Sequence, residues 1–202
     1  MATFIAISGT SSSGKTSIVN NISMYREMRS FTYIPDIFQT VWDDLVARGL
    51  LSEYDDINKD QDFLCVFILH MIDYYNMCLD EYEHEDGVVV LDCCWLDLAI
   101  YAVTNLWYMH AIKAVQEDIL SKLNRFDERI SRIYVTKFDK SYQRSESYQL
   151  PFKRSNVKSN RKLEIEYYEL AKNLKNAVAL PSSDISEASL AILEDLRNLG
   201  YL

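Results

Sequence analysis

The stretch Gly9-Thr10-Ser11-Ser12-Ser13-Gly14-Lys15-Thr16 decides the fold of this 202-residue chain. It fits the pattern G-x-x-x-x-G-K-[ST] at every position. The apolar run "FIAIS" at 4–8 precedes it and "KTSIVNNISMYREM" at 15–28 follows. The first reads as a buried strand and the second as a helix, which is the context the pattern requires. Glycine lets the backbone wrap close to a phosphate and adopt positive φ. Successive N–H groups then face inward as an anion nest, and the helix N-terminus adds its partial positive charge. Lys15 is placed to reach β- and γ-phosphate oxygens, and the Thr16 hydroxyl to ligate Mg²⁺. Gly9, Thr10, Ser11, Ser12, Ser13, Gly14, Lys15, Thr16 and Ser17 are thus the expected cradle for ATP and Mg²⁺, with a substrate phosphate as the other anion it suits.

Outward from the cradle, strands alternate with helices. "SFTYI" at 30–34 reads as a second strand stopped by Pro35, and helices are expected over 36–50 and 61–83. "GVVVLD" at 87–92 is a β-branched strand, followed by helical patterning over 95–124. "SRIYVTK" at 131–137 and "AVAL" at 177–180 are further strands. Helical patterns cover 161–176 and 184–199. This alternation predicts an α/β chain whose parallel strands are covered on both faces. The expected architecture is a three-layer P-loop fold with five parallel strands in the order 2-3-1-4-5. With 5 glycines, 3 prolines and no low-complexity linker, residues 1–202 read as one domain.

Composition narrows the partners. Lys plus Arg is 21 and Asp plus Glu is 30, a net charge of −9. Direct nucleic-acid binding is not expected of so acidic a chain. The longest apolar stretch, 62–82, is broken by His70, Asp73 and Asn76, so it reads as a buried helix and no membrane partner is expected. No basic segment precedes the apolar opening, which argues against a signal peptide and for a cytoplasmic protein. Cys65, Cys78, Cys93 and Cys94 lack zinc or redox spacing and read as reduced, packed thiols. A homodimer is compatible with all of this.

Asp92 ends the clearest strand. Beside a P-loop it is expected in the Mg²⁺ shell, the alternative being a cap for the next helix. Asp36 follows Pro35 at the end of strand 2. Strand C-termini gather on one edge of a parallel sheet, so Asp36, Gly9 and Asp92 should converge there. A carboxylate so placed can orient an acceptor hydroxyl and take its proton, or it can cap the helix that follows. Asp43 and Asp44 are weaker rivals on a solvated helix face.

Lys140, Arg144, Lys153, Arg154, Lys158, Arg161 and Lys162 form a basic run in an acidic chain. Arg144, with Arg154 or Arg161 from a lid at about 140–162, is a candidate to stabilise a transferring phosphoryl group. Phe63, Phe67, His70, Asp73, Tyr74, Tyr75, Trp95 and Tyr101 are candidates to line an acceptor pocket, or to pack the core. His84 and His110 are too scattered for a zinc site. "LPSSD" at 180–184 is either a loop bordering a base or a plain turn.

Thr136-Lys137-Phe138-Asp139 looks like the guanine-reading [NT]-K-x-D motif of regulatory GTPases, but no D-x-x-G switch follows Asp92. The order "YIPDIF", "VVVLDCCWLDLAIYA", "RIYVTKFDKSYQR" and the basic segment more closely resembles the thymidylate kinase and deoxynucleoside kinase families over most of the chain. The resemblance implies phosphoryl transfer from ATP to a nucleoside or nucleoside monophosphate. It also implies an acceptor-side arginine where Cys93 stands, a departure that puts the acceptor in doubt. "GTSSSGKTSI" is also similar to the opening of the chloramphenicol phosphotransferase family, which implies a hydroxylated small molecule as acceptor and an acidic base after strand 2, matched by Asp36. A non-catalytic nucleotide-binding module remains the alternative outside enzymes.

Overall fold

A computed structural model describes residues 1–10, 13–50, 61–106, 117–118, 121–125, 128–137, 165, 167–169 and 171–202, with the backbone alone for 61–64 and 101–106. Five strands form one sheet: β1 (Ala2–Ser8), β2 (Thr32–Ile34), β3 (Gly87–Asp92), β4 (Ile130–Val135) and β5 (Ala177–Ala179). Their order is β2-β3-β1-β4-β5, and every pairing is parallel. Among the described residues, the helices with defined bounds are α1 (Lys15–Ser23), α2 (Phe38–Ala47), α3 (Gln61–Tyr82), α4 (Trp95–Leu106) and α5 (Ile185–Asn198), and 121–125 and 167–169 are also helical. The expected sheet order is the observed one. The expected first helix is shorter than its apolar pattern: it ends at Ser23, and Arg26–Met28 form a separate 3-10 turn.

Both faces of the sheet are covered, so its strands are apolar at successive positions. Phe4 and Ala6 of β1 and Val89 and Leu91 of β3 pack on the side of α2, α3 and α4. Ile5, Ile7, Val88 and Val90 face α1 and α5 on the other side. Ile130 and Ile133 of β4 share a face although they stand three apart. A register shift opposite Phe4 and Ile5 inserts Ser131 and resets the alternation.

α5 begins with Asp184, whose side chain accepts from Glu187 N at 3.0 Å, and it buries Ala188, Ile192, Leu193 and Leu196. Ser182 Oγ in turn accepts from Asp184 N at 3.0 Å, and Leu180 N donates to Val135 O at 2.9 Å. Residues 180–184 therefore work as a turn and a helix cap. No described helix is long and apolar enough to cross a membrane.

A half-buried network ties α5 to β4. Arg132 donates to both Asp195 oxygens at 2.8 Å, and Tyr134 OH adds a third hydrogen bond at 2.9 Å. Burial alone would lift the Asp195 pKa, but the hydrogen bonds from Arg132 and Tyr134 outweigh it and hold the carboxyl below its usual value. A depressed folded pKa gives stability that is present above the unfolded pKa and lost as pH falls through the folded one. Asp195→Asn should cost about 1–2 kcal/mol at pH 7. Thermal melts of the two proteins should draw together only as pH falls through the depressed folded pKa of Asp195, below the ordinary carboxyl value of 3.8.

Candidate active site

The C-terminal ends of β1, β3 and β4 set the site. β1 ends at Ser8 and the chain turns at Gly9, with φ of +151°. Thr136, just past β4, donates its backbone N–H to Ser8 O at 2.8 Å and its hydroxyl to the same oxygen at 3.1 Å. That hydroxyl also lies 2.5 Å from Ser13 Oγ. Thr136, read in the sequence as the loose first position of a guanine motif, is 2% exposed and braces the loop from beneath. Gly14 adopts φ +85° and starts α1, whose Ile18 N bonds back to Gly14 O at 2.9 Å.

Lys15 Nζ donates to Gly9 O at 2.8 Å and Thr10 O at 3.2 Å. It also lies 3.7 Å from Asp97 Oδ1. Burial pulls the Lys15 pKa down, but the carboxylates, Asp97 first and then Asp92 and Asp36, more than restore it, so the ammonium stays charged. Thr16 Oγ1 donates to Asp92 Oδ2 at 2.5 Å. The other oxygen, Asp92 Oδ1, is buried and has no hydrogen-bond partner among the described residues. Burial raises the Asp92 pKa to about 6, against the lowering effects of Thr16 and Lys15. An unpartnered buried carboxylate oxygen beside a P-loop hydroxyl fits a hard divalent cation that keeps its remaining ligands as water and phosphate. No cluster of three or more His, Cys, Asp or Glu side chains suited to a metal occurs among the described residues.

Asp36 stands two residues beyond Ile34, which pairs with Leu91 next to Asp92. Its Oδ1 accepts from Phe38 N at 3.0 Å, closing the turn into α2, whose N-cap position is Ile37. The Asp36 charge also acts on Lys15, Asp92 and Cys93, so the sheet edge brings these groups together.

Cys93 continues β3 with its N–H on Ile7 O at 3.0 Å, then turns at φ +95°. It is the one described non-glycine residue with positive φ, a conformation that concentrates at functional sites. Burial, then the carboxylates of Asp97 and Asp36, push its thiol pKa well up, so Cys93 is neutral. None of the four cysteines forms a disulfide, and Cys93 and Cys94 are buried.

Several aromatic candidates serve the core. Phe67 and Tyr75 are at most 1% exposed. Phe67 packs on Phe38 at a centroid distance of 4.5 Å and on Trp42 at 6.1 Å. Tyr75 OH donates to Asp92 O at 3.3 Å, supporting the strand end. Trp95 Nε1 is buried without a hydrogen-bond partner among the described residues. Asp43, Asp44 and Asp73 bond to Gln39, Arg48 and Lys122 respectively, away from the cradle. The side chains of Phe63 and Tyr101 lie outside the described residues, as do Ser11, Ser12, Asp139, Arg144, Arg154 and Arg161.

The sequence reading missed Asp97. It is 9% exposed and accepts from Gly9 N, Cys94 N and Tyr167 OH. Its signal was a lone carboxylate in the apolar run "WLDLAIYA". A buried acid in such a helix needs donors, and here they come from the P-loop.

A family model described as an AAA domain matches residues 4–149. No curated protein sequence matches the chain significantly. Among solved structures, deoxyadenosine kinase from M. mycoides, with products dCMP and a flexible dCDP bound, superposes with a TM-score of 0.63. The two are 14% identical over 97% of this chain and 99% of that one. Thymidylate kinase from Ehrlichia chaffeensis gives a TM-score of 0.57 and 13% identity over 96% and 98%. NadR in complex with NR gives 0.58 and 16% identity over 97% of this chain, which spans about half (49%) of the NadR chain. The fold is thus one shared with the deoxyadenosine kinase and thymidylate kinase structures, as the motif order implied.

Proposed function

The chain belongs to the AAA domain family, and on that premise we propose that it is an ATP-dependent phosphotransferase acting on a small acceptor, a nucleoside or nucleoside monophosphate. One observation carries this reading: Thr16 is hydrogen-bonded to Asp92 beside Lys15 at the C-terminal edge of the parallel sheet, the edge at which Asp36 follows β2. Phosphoryl transfer needs a held triphosphate, a charge-neutralising centre and an oriented acceptor, and these residue types supply each.

Lys15 binds the β- and γ-phosphates, exchanging its P-loop carbonyl contacts for phosphate oxygens. Thr16 and Asp92 Oδ1 would hold Mg²⁺, which when bound offsets the charge of the triphosphate. For a hydroxyl acceptor, Asp36 takes the hydroxyl proton and orients the oxygen for in-line attack on the γ-phosphorus, whose bond to the β-γ bridging oxygen breaks as ADP leaves; a phosphate acceptor needs no proton removed. The basic segment at about 140–162 is the lid, and Arg144 with Arg154 or Arg161 closes over the transferring group within the single domain 1–202. The likeness to deoxyadenosine kinase, thymidylate kinase and NadR supports a nucleoside or nucleotide acceptor. A cytoplasmic location follows from such an acceptor pool.

The test is a phosphate-transfer screen over nucleosides, NR, nucleoside monophosphates and hydroxylated antibiotics, repeated with Asp36→Asn. Asparagine keeps an oxygen for the Phe38 N–H, so the turn into α2 survives while the proton acceptor is lost. We expect kcat to fall by ~10²-fold or more with ATP binding nearly intact. Unchanged turnover would reduce Asp36 to a turn former. Cys93, in place of the arginine of the resembled kinases, is the observation that favours a second reading as a nucleotide-binding module. Intact ATP binding with no turnover on any acceptor would decide for it.

A further inference from the structure

The structure assigns Asp97 as a positioning residue of the phosphate cradle, joining the P-loop, the end of β3 and the chain segment bearing Tyr167 through one buried carboxylate. The inference rests on the phosphate-binding reading above. Oδ1 accepts from Gly9 N at 3.0 Å and from Tyr167 OH at 3.1 Å, and faces Lys15 Nζ at 3.7 Å. Oδ2 accepts from Cys94 N at 2.8 Å. The donors come from three separate parts of the chain, and both oxygens are used. Tyr167 is 5% exposed, and burial together with the nearby Asp97 keeps its phenol protonated and donating.

This arrangement fixes two things that phosphate binding requires. It pins the first glycine of the loop, which sets where the nest begins. It also holds Lys15 beside the loop instead of letting its long side chain wander, so less order is lost when phosphate arrives. Tyr167 lies five residues beyond the basic run that ends at Lys162. Its hydroxyl ties the helical residues 167–169 to the same carboxylate.

Asn cannot replace this carboxylate. Both Asp97 oxygens accept from backbone N–H groups, so the Asn amide nitrogen would face Gly9 N–H or Cys94 N–H donor to donor. One of the two segments must then shift. A shift of the loop costs phosphate affinity, because small misplacements of a preorganised site are expensive. The opposing effect is electrostatic: removing a negative charge beside Lys15 should help an anion bind. The donor clash wins because it displaces the backbone that makes the nest, whereas the charge is already compensated by Lys15.

The experiment compares Mg-ATP affinity by calorimetry, well below the melting temperature, with apo thermal stability. The proteins are wild type, Asp97→Asn, Tyr167→Phe and Arg132→Met, the last breaking a remote ion pair on the other sheet face. Asp97→Asn should raise the Kd for Mg-ATP by ~10-fold or more, and Tyr167→Phe by a few-fold. Arg132→Met should lower the melting temperature and leave the Kd unchanged. Where turnover is measurable, the loss should appear in KM for ATP and leave KM for the acceptor alone.

If Asp97→Asn melts earlier but binds as wild type, or binds more tightly, Asp97 is a structural or merely competing charge and the assignment is wrong. If Asp97→Asn does not fold, Tyr167→Phe decides: an unchanged Kd overturns the assignment. Absence of ATP binding in the wild type overturns the phosphate-binding reading itself, and the assignment with it.

Discussion

Lys15→Ala should weaken Mg-ATP binding by ~10²-fold or more, the loss expected when a buried charge-assisted hydrogen bond to phosphate is removed. The side chain is 13% exposed and lies against Gly9 O, Thr10 O and Asp97. Its ammonium is the compensating charge for Asp36, Asp92 and Asp97 at the sheet edge. Removing it takes away an attraction and also leaves carboxylates facing an incoming polyanion. Lys15→Arg is not a neutral control, because a planar guanidinium cannot occupy the point where one Nζ meets two loop carbonyls. Calorimetry checks the result directly. An unchanged ATP affinity in Lys15→Ala would remove the cradle from consideration. A strong preference for GTP over ATP would instead return attention to Thr136–Asp139.

The strands were readable because a parallel sheet buries both faces, so they stand out as apolar runs such as "GVVVLD", and their order was expected from the P-loop arrangement that the strand–loop–helix start implies. The cradle was readable because its residues are contiguous and each has a backbone or charge task. Asp97 and Tyr167 were not readable as a pair. They are 70 residues apart, and their link is a single side-chain hydrogen bond created by packing. Thr136 illustrates the same limit differently. Its position after a strand suggested base recognition, whereas its hydroxyl is spent on Ser8 O and Ser13. The helix break at Ser23 was hidden because Met24 and Tyr25 have no strong helix-stopping chemistry. Asp36 was open between base and cap. The structure shows the turn-forming hydrogen bond, while the acceptor role is chemistry that only the Asn variant separates.

The two glycines of the P-loop should respond very differently to alanine. A Cβ at Gly9 would overlap the Thr136 hydroxyl outright and come within 2.9 Å of Ser13 Oγ, with Thr136 Cβ at 3.2 Å. None of these atoms is the far end of a flexible chain, because Thr136 is clamped to Ser8 O and buried. The φ of +151° adds backbone strain that any side chain feels. Overpacking and strain together put Gly9→Ala at about 3–5 kcal/mol, a fall of roughly 10 °C in Tm for a chain of this size. ATP affinity should fall with it, since the loop must move away from Thr136. A Cβ at Gly14 would meet no atom within 4 Å, so Gly14→Ala carries only the cost of φ +85°, about 1 kcal/mol. The double variant Gly9→Ala/Thr136→Ala isolates the collision. Deleting the hydroxyl removes the overlap but also the bond to Ser8 O, so recovery should be partial, with a favourable coupling of about 1–3 kcal/mol. Equal melting temperatures for Gly9→Ala and Gly14→Ala, or zero coupling in the double variant, would show that the Thr136 brace does not set the shape of the loop.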